Sequence, residues 1–430
     1  MSFMTSRSNK DRGRPAGRDR ALALLLCFGT ALLGIPTTQA ATASTEPLVQ
    51  SADMTYLGAF RMPNTDPLGV SSLNYGGHGL TPYRDPNTGK MTIYLQGHAQ
   101  HDGDVAQIQV PDTLVKSDSW DALPMATVLQ KTYDVTDGKL STAGDTYNGM
   151  PVYGMMVYNG RLLVGVSQSY GSNQTASTGV SGLDLSVSND FKGFYPYVGV
   201  LAVPRALGGP MTPIPTEWQA TLGGPALVGM CCQSVISATS AGPSATVFNP
   251  DDVGKVIAMP GKTALFYPIA TPACGSQGCE AGKNAVFNLT SRVMGMAFPP
   301  GTRSVLFIGG HGTGAYCYGT AVECNDPALP DVKGPHAQPY QSQVWAYDAN
   351  DLAAVVAGSK TPYAPKPYAI WALPDLHENG VNMMGAGFDP ATRRLYIAQD
   401  YGTQPRIDVY QVGQGVVVAQ PNPPTGVSVQ

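Results

Sequence analysis

Beyond residue 40 the chain divides into apolar runs of about four to seven residues, each closed by Gly, Pro, Asn or Asp. Runs this short, rich in Val, Ile, Leu and Tyr, are strands separated by turns. The pattern predicts strands at 91–95, 105–110, 162–166, 198–203, 264–267, 304–309, 343–347, 394–398 and 406–412. One segment, 350–358 (NDLAAVVAG), has helical character, and it is long enough for one or two turns.

The strands fall into pairs: 91–95 with 105–110, 162–166 with 198–203, 304–309 with 343–347, and 394–398 with 406–412. The loops between partners vary from a few residues to thirty or so, which is how a constant strand frame builds one variable face. Several strands also end alike. Tyr94-Leu95-Gln96-Gly97-His98 is answered by Leu306-Phe307-Ile308-Gly309-Gly310-His311, and Gln168-Ser169-Tyr170 and Gln399-Asp400 hold the same place in their own units. A recurring unit with a polar residue at its strand end predicts an all-β, seven-bladed β-propeller, at about 50–55 residues per blade. Segment 55–60 (TYLGAF) is expected to add a strand to the last blade, so that no sheet edge is left open. A pair of β-sandwiches is the rival architecture.

Composition assigns the ends of the chain. Residues 1–40 carry Lys10, Arg12, Arg14, Arg18 and Arg20 ahead of an apolar run, then small residues around Thr38-Gln39-Ala40. That is a signal peptide, with an uncleaved anchor as the alternative, and it places the protein in a secreted or periplasmic compartment. Residues 41–415 then form the propeller. The stretch 416–430 reads as a Pro-rich linker, the start of a further immunoglobulin-like module. Without the leader, 20 basic residues face 28 acidic ones, and no basic run survives. Nucleic acid is therefore not an expected partner, nor is a membrane, and the chain is expected to be a monomer.

Six cysteines remain after the leader: Cys231, Cys232, Cys274, Cys279, Cys317 and Cys324. An even number in an exported chain reads as disulfides. Cys274 with Cys279 and Cys317 with Cys324 would each close a small loop, whereas Cys231 and Cys232 could bridge each other or pair elsewhere. Zinc ligation by these residues is the alternative.

His78, in Tyr75-Gly76-Gly77-His78-Gly79-Leu80, precedes one strand, and His98 ends the next. In an antiparallel hairpin those two positions share an edge, so both imidazoles are expected at one mouth of the ring. His101 and Asp102 follow in the adjoining loop, and Tyr170 and His311 end the corresponding strands of other blades. His, Tyr and Asp together suit proton transfer or a divalent metal, Ca or Zn, although no cofactor is required by the pattern. The alternative for His98 and His311 is that each caps a loop. His336 and His377 are expected at the surface. Asp102-Gly103-Asp104 lacks the Glu of a calcium loop and reads as a turn.

The run 75–98, with Trp345-Ala346-Tyr347-Asp348 and Gly387-Phe388-Asp389-Pro390, resembles a broad family of exported bacterial propeller proteins along nearly the whole mature chain. More remotely, the paired histidines and the later tyrosine are similar to propeller polysaccharide lyases of the ulvan lyase and rhamnose–glucuronate lyase type. That resemblance implies β-elimination on uronate-containing glycans. His78, His98 and Tyr170 would be catalytic, and His101, Asp102, Arg205 and His311 would bind a polysaccharide or oligosaccharide. The family's arginine has no motif here, and Arg205 is the nearest candidate. The competing expectation is a non-catalytic propeller that binds glycans or a cell-surface partner.

Overall fold

Antiparallel pairing gathers the strands into fours. A computed structural model describes residues 43–415, apart from 64–70, 148, 170, 172, 234–238, 276–278, 280–283, 330–332, 374–382 and 400–404. The expected leader and linker, Tyr170 and His377 lie outside the described residues.

The first blade runs Leu80–Arg84, Met91–Gln96, Asp104–Gln109, Thr127–Asp134. The second runs Val152–Tyr158, Arg161–Val166, Thr178–Ser181, Lys192–Tyr195. The third has Met211–Pro213, Ala226–Val228, Ala245–Phe248 and Met259–Leu265, with Tyr197–Val198 added outside in parallel. The fourth has Arg292–Ala297, Ser304–Gly312, Tyr340–Asp348 and Ala369–Ala372. The fifth has Met383–Asp389, Arg394–Gln399 and Arg406–Val412, and is completed by Met54–Arg61 from the other end of the chain.

The first strand of each blade packs against the first strands of the two neighbouring blades, and the fifth packs against the first. These five inner strands therefore follow one another in a circle. Between inner strands, hydrogen bonding among the described residues crosses at the parallel bridge of Gly295 with Ala386. The other inner strands meet by packing, and backbone bonds such as Ala59 with Val115 tie the closing strand of the fifth blade to the first. Glycines permit that approach: a Cβ on Gly79 would lie 2.7 Å from the Val152 carbonyl oxygen, and one on Gly154 or Gly385 would collide with the carbonyl of Gly209 or Gly77. Buried aromatics such as Trp345, Phe307 and Tyr347 fill one of the layers of side chains behind.

The seven-blade expectation is corrected to five four-stranded units among the described residues. Inner strands begin at Leu80, Val152, Met211, Arg292 and Met383, about 60–90 residues apart rather than about 50–55. The expectation failed because each unit holds four strands, and the inner ones, broken by Gly and Pro, give a weak apolar signal. One pairing is also corrected. Arg161–Val166 pairs with Thr178–Ser181, not with 198–203, where Tyr197–Val198 is the strand that forms. Gly179 hid the true partner: its missing side chain makes room for the Phe191 ring. The expected helix is Ala349–Val356, capped by the Asp348 side chain on the Asn350 amide. A second helix, Thr216–Leu222, ends at Gly223 with φ +76°. No helix among the described residues is long and apolar enough to cross a membrane. All three cysteine pairs are bonded, Cys231 to its neighbour Cys232, Cys274 to Cys279 and Cys317 to Cys324.

Candidate functional site

The turn Leu73–Gly77 folds back on the end of the next strand. The Gly77 amide donates to the Gln96 carbonyl at 2.8 Å, and the Gln96 amide donates to the Gly79 carbonyl at 2.9 Å. This closure sets His78 Nδ1 2.7 Å from Gln96 Oε1. With Gln96 accepting, the neutral ring carries its proton on Nδ1 and leaves Nε2 as its acceptor. Burial pushes the His78 pKa down to about 4, and the nearby Arg292 guanidinium adds to the effect.

The His78 ring meets Tyr153 edge-on, with centroids 5.1 Å apart. Tyr153 is the second residue of the second blade's inner strand. The register slips between Val152 and Gly154, so Tyr153 is a bulge residue, a device that re-aims a side chain. Burial raises its phenol pKa; a hydrogen bond with Ser169 and the positive fields of Arg292 and Arg205 oppose that rise, while Asp102 adds to it.

Both arginines are depressed by burial. Arg292 opens the fourth blade's inner strand and is half-buried, and no carboxylate pairs with it among the described residues. Arg205 is 3% exposed. Its Nε donates to the Gln168 carbonyl at 2.5 Å and its Nη2 to the Ser169 carbonyl at 3.0 Å. Among the described residues its buried Nη1 has no hydrogen-bond partner. A buried guanidinium with an open donor is a demand for an anion or a polar ligand.

His98 lies in a second group. Its Nδ1 accepts from the Gln100 amide at 3.1 Å, so it does cap its turn. Its ring also stands edge-on to Tyr75 at 5.5 Å and to His101 at 6.0 Å. Tyr75 is 44% exposed. His101 is exposed and faces the Asp104 carboxylate at 3.9 Å. Asp102 joins the two groups, because its Oδ2 accepts from the Met150 amide at 2.7 Å, two residues before Val152, while its charge acts on Tyr153.

His311 does not join them. It is 2% exposed, bonded through Nδ1 to Ser291 Oγ at 2.8 Å and set edge-on to Trp345 at 6.2 Å. It is a packing residue, because the strand Ser304–Gly312 is buried throughout. His336 is likewise not at the surface. It is 2% exposed, with Nδ1 2.9 Å from Asp326 Oδ2 and Nε2 3.0 Å from the Gly319 carbonyl oxygen. The described residues contain no group of three or more His, Cys, Asp or Glu able to hold a metal ion.

Tyr153 and Arg292 escaped the reading of the sequence, though a signal existed for Tyr153. His78-Gly79, Tyr153-Gly154, Met294-Gly295 and Met384-Gly385 are the same step in four inner strands, and in three of them the residue before glycine is skipped in the ladder. The repeat was sought at strand ends, whereas the more regular one lies at inner-strand starts.

No protein-family model matches this chain, and no curated protein matches it significantly. Solved structures align weakly. A chain described as a glycoside hydrolase from Parabacteroides distasonis is 9% identical at a TM-score of 0.41, over 85% of this chain and 100% of its own. The α-L-arabinanase of Cellvibrio cellulosa is 11% identical at 0.40, over 78% and 91%. A mannose phosphorylase from Leishmania mexicana is 10% identical at 0.34, over 87% and 94%. Similarity at this level assigns this chain neither a family nor an activity.

Proposed function

We propose that this protein is an exported glycan-active enzyme that cleaves uronate-containing polysaccharide by β-elimination at the site of His78, Tyr153 and Arg292. The observation that carries the reading is Arg292: a half-buried guanidinium, unpaired with any described carboxylate, acting on both His78 and Tyr153. Such a cation is suited to a substrate carboxylate and to the charge that spreads onto it when the neighbouring carbon loses its proton. In the elimination the C5–H bond breaks, its electron pair forms the C4=C5 double bond, and the C4–O bond leaves with its own pair. In this reading His78, held neutral, takes the proton on Nε2. Tyr153, kept protonated by burial, gives one to the leaving oxygen. Hydrolysis by two carboxylates needs a pair flanking the bond. Here Asp102 is the carboxylate that acts on Tyr153, and a backbone amide already occupies one of its oxygens. The three disulfides suit the oxidising compartment that such a substrate implies.

The test is a screen of uronate glycans for new absorbance at the ultraviolet edge, the mark of a C4=C5 double bond. Product is expected from the wild type and should fall about 100- to 1,000-fold in Arg292→Ala. Product formation undiminished in that variant would end the proposal. Tyr75 favours a second reading, since an exposed aromatic ring beside His98 is a stacking surface for a sugar in a non-catalytic binder. Retention of the same glycans without any product would select it.

A further inference from the structure

Arg292–Ala297 is the inner strand of its blade, so the edge it does not share with Ser304–Gly312 faces inward. At Arg292 that edge is covered. Cys232–Gln233 pairs antiparallel along it, with Cys232 opposite Val293 and Gln233 opposite Arg292. The Cys231–Cys232 disulfide stands at the start of this short segment. Cys231 is 1% exposed, while Cys232 is half-buried and held at φ +67°. Both cysteines belong to the same apolar cluster as Met294, on Arg292's own strand, and Tyr153, the phenol of the site. The neighbouring backbone is tight, because a Cβ on Gly209 would collide with the Cys231 amide nitrogen.

A two-residue strand makes too few hydrogen bonds to fix its own register. A disulfide between sequence neighbours closes the shortest loop the chain allows, and the constraint a disulfide places on the unfolded state grows with loop length. The effect of this bond is therefore local. It ties Cys232 into a left-handed backbone that non-glycine residues rarely adopt, and it does so where the segment meets Arg292.

We propose that the Cys231–Cys232 disulfide is a positioning element of the site, locking the inward-facing segment against the backbone of Arg292 and so fixing where the guanidinium stands relative to Tyr153 and His78. The proposal rests on the reading that this cluster is the functional site, but its test can be separated from that reading. Three proteins are compared: wild type, Cys231→Ala/Cys232→Ala, and Cys274→Ala/Cys279→Ala as a control disulfide outside the segment that pairs with Arg292. The rate at which phenylglyoxal modifies Arg292 is followed by peptide mass spectrometry, alongside the melting temperature and the affinity for a uronate tetrasaccharide. The 231/232 variant is expected to melt within about 3 °C of the control variant. It should label Arg292 several-fold faster than the other two, and bind the tetrasaccharide about tenfold more weakly than wild type. An Arg292 labelling rate equal in all three proteins would overturn the proposal. So would a melting temperature far below the control's, which would make the bond a global staple. If the wild type binds no uronate, the functional reading fails while the labelling rates still decide the role of the disulfide.

Discussion

Burial strips the proton from two imidazoles, His78 and His311, lowering both from 6.5 to about 4, and only His78 meets Tyr153. Between pH 4 and 6.5 an unfolded chain would bind these protons and the folded chain does not. The contribution of both groups to stability is therefore complete above 6.5 and declines as pH falls toward 4. Proton–carbon NMR of the ring carbons is expected to show both rings neutral down to about pH 4, and a midpoint near 6.5 for His78 would remove it as the base. The acid limb of kcat/KM should follow the same titration. Tyr153→Phe keeps the ring against His78 and removes the proton donor, so it is expected to lower kcat about 100-fold or more while leaving KM nearly unchanged. A rise in KM alone would make Tyr153 a binding residue. At this scale the sequence disclosed His78, because histidine beside glycine is conspicuous. It hid Arg292, because a single charged residue at a strand start carries no local pattern, and Tyr153, because the step before glycine repeats at inner-strand starts and not at strand ends.

The elements decide which side chains reach the site, and the bulged step before an inner-strand glycine is the device. Gly385 shows its dependence on close packing. It lies against the backbone of Gly77 and His78, so that an added methyl group would strike the carbonyls of both residues. Gly385→Ala is expected to destabilise the fold by about 1–3 kcal/mol and to weaken activity beyond what the stability loss explains, because the shift falls on His78 itself. Urea unfolding and kcat/KM measured on the same preparation check this, and a stable variant with full activity would contradict it. The long second and third strands were legible from their apolar runs: Met91–Gln96, Ser304–Gly312, Tyr340–Asp348 and Arg394–Gln399 fall within a few residues of expectation. Thr178–Ser181 was not, since a four-residue strand with a single apolar side chain, Val180, gives no recognisable run of its own.

For the whole molecule, the strand Met54–Arg61 crosses from the start of the chain to finish the last blade, and the sequence disclosed this closure because TYLGAF is a short apolar run near the start of the mature chain with no strand partner beside it. The blade count was not legible, since it depends on how many strands share a unit and not on any one of them. A polar cluster secures the closing strand. Tyr56 Oη donates to Asp408 Oδ1 at 2.8 Å, Arg406 Nη2 donates to the same oxygen at 2.6 Å, and Gln399 Nε2 donates to Asp408 Oδ2 at 2.8 Å. Arg406 is 1% exposed and Asp408 fully buried, so removing the carboxylate would break a buried ion pair in the core. Asp408→Ala is expected to cost about 3–5 kcal/mol, whereas Tyr56→Phe, which leaves the ion pair intact, should cost only about 1 kcal/mol. Because Met54–Arg61 closes the blade that carries Gly385, the larger loss should appear as opening of the ring. Hydrogen exchange is expected to rise first in Met54–Arg61 and Arg406–Val412, and only later in the first blade. Uniform exchange across all five blades would show instead that the circle unfolds as one unit, with the closing strand no weaker than the rest.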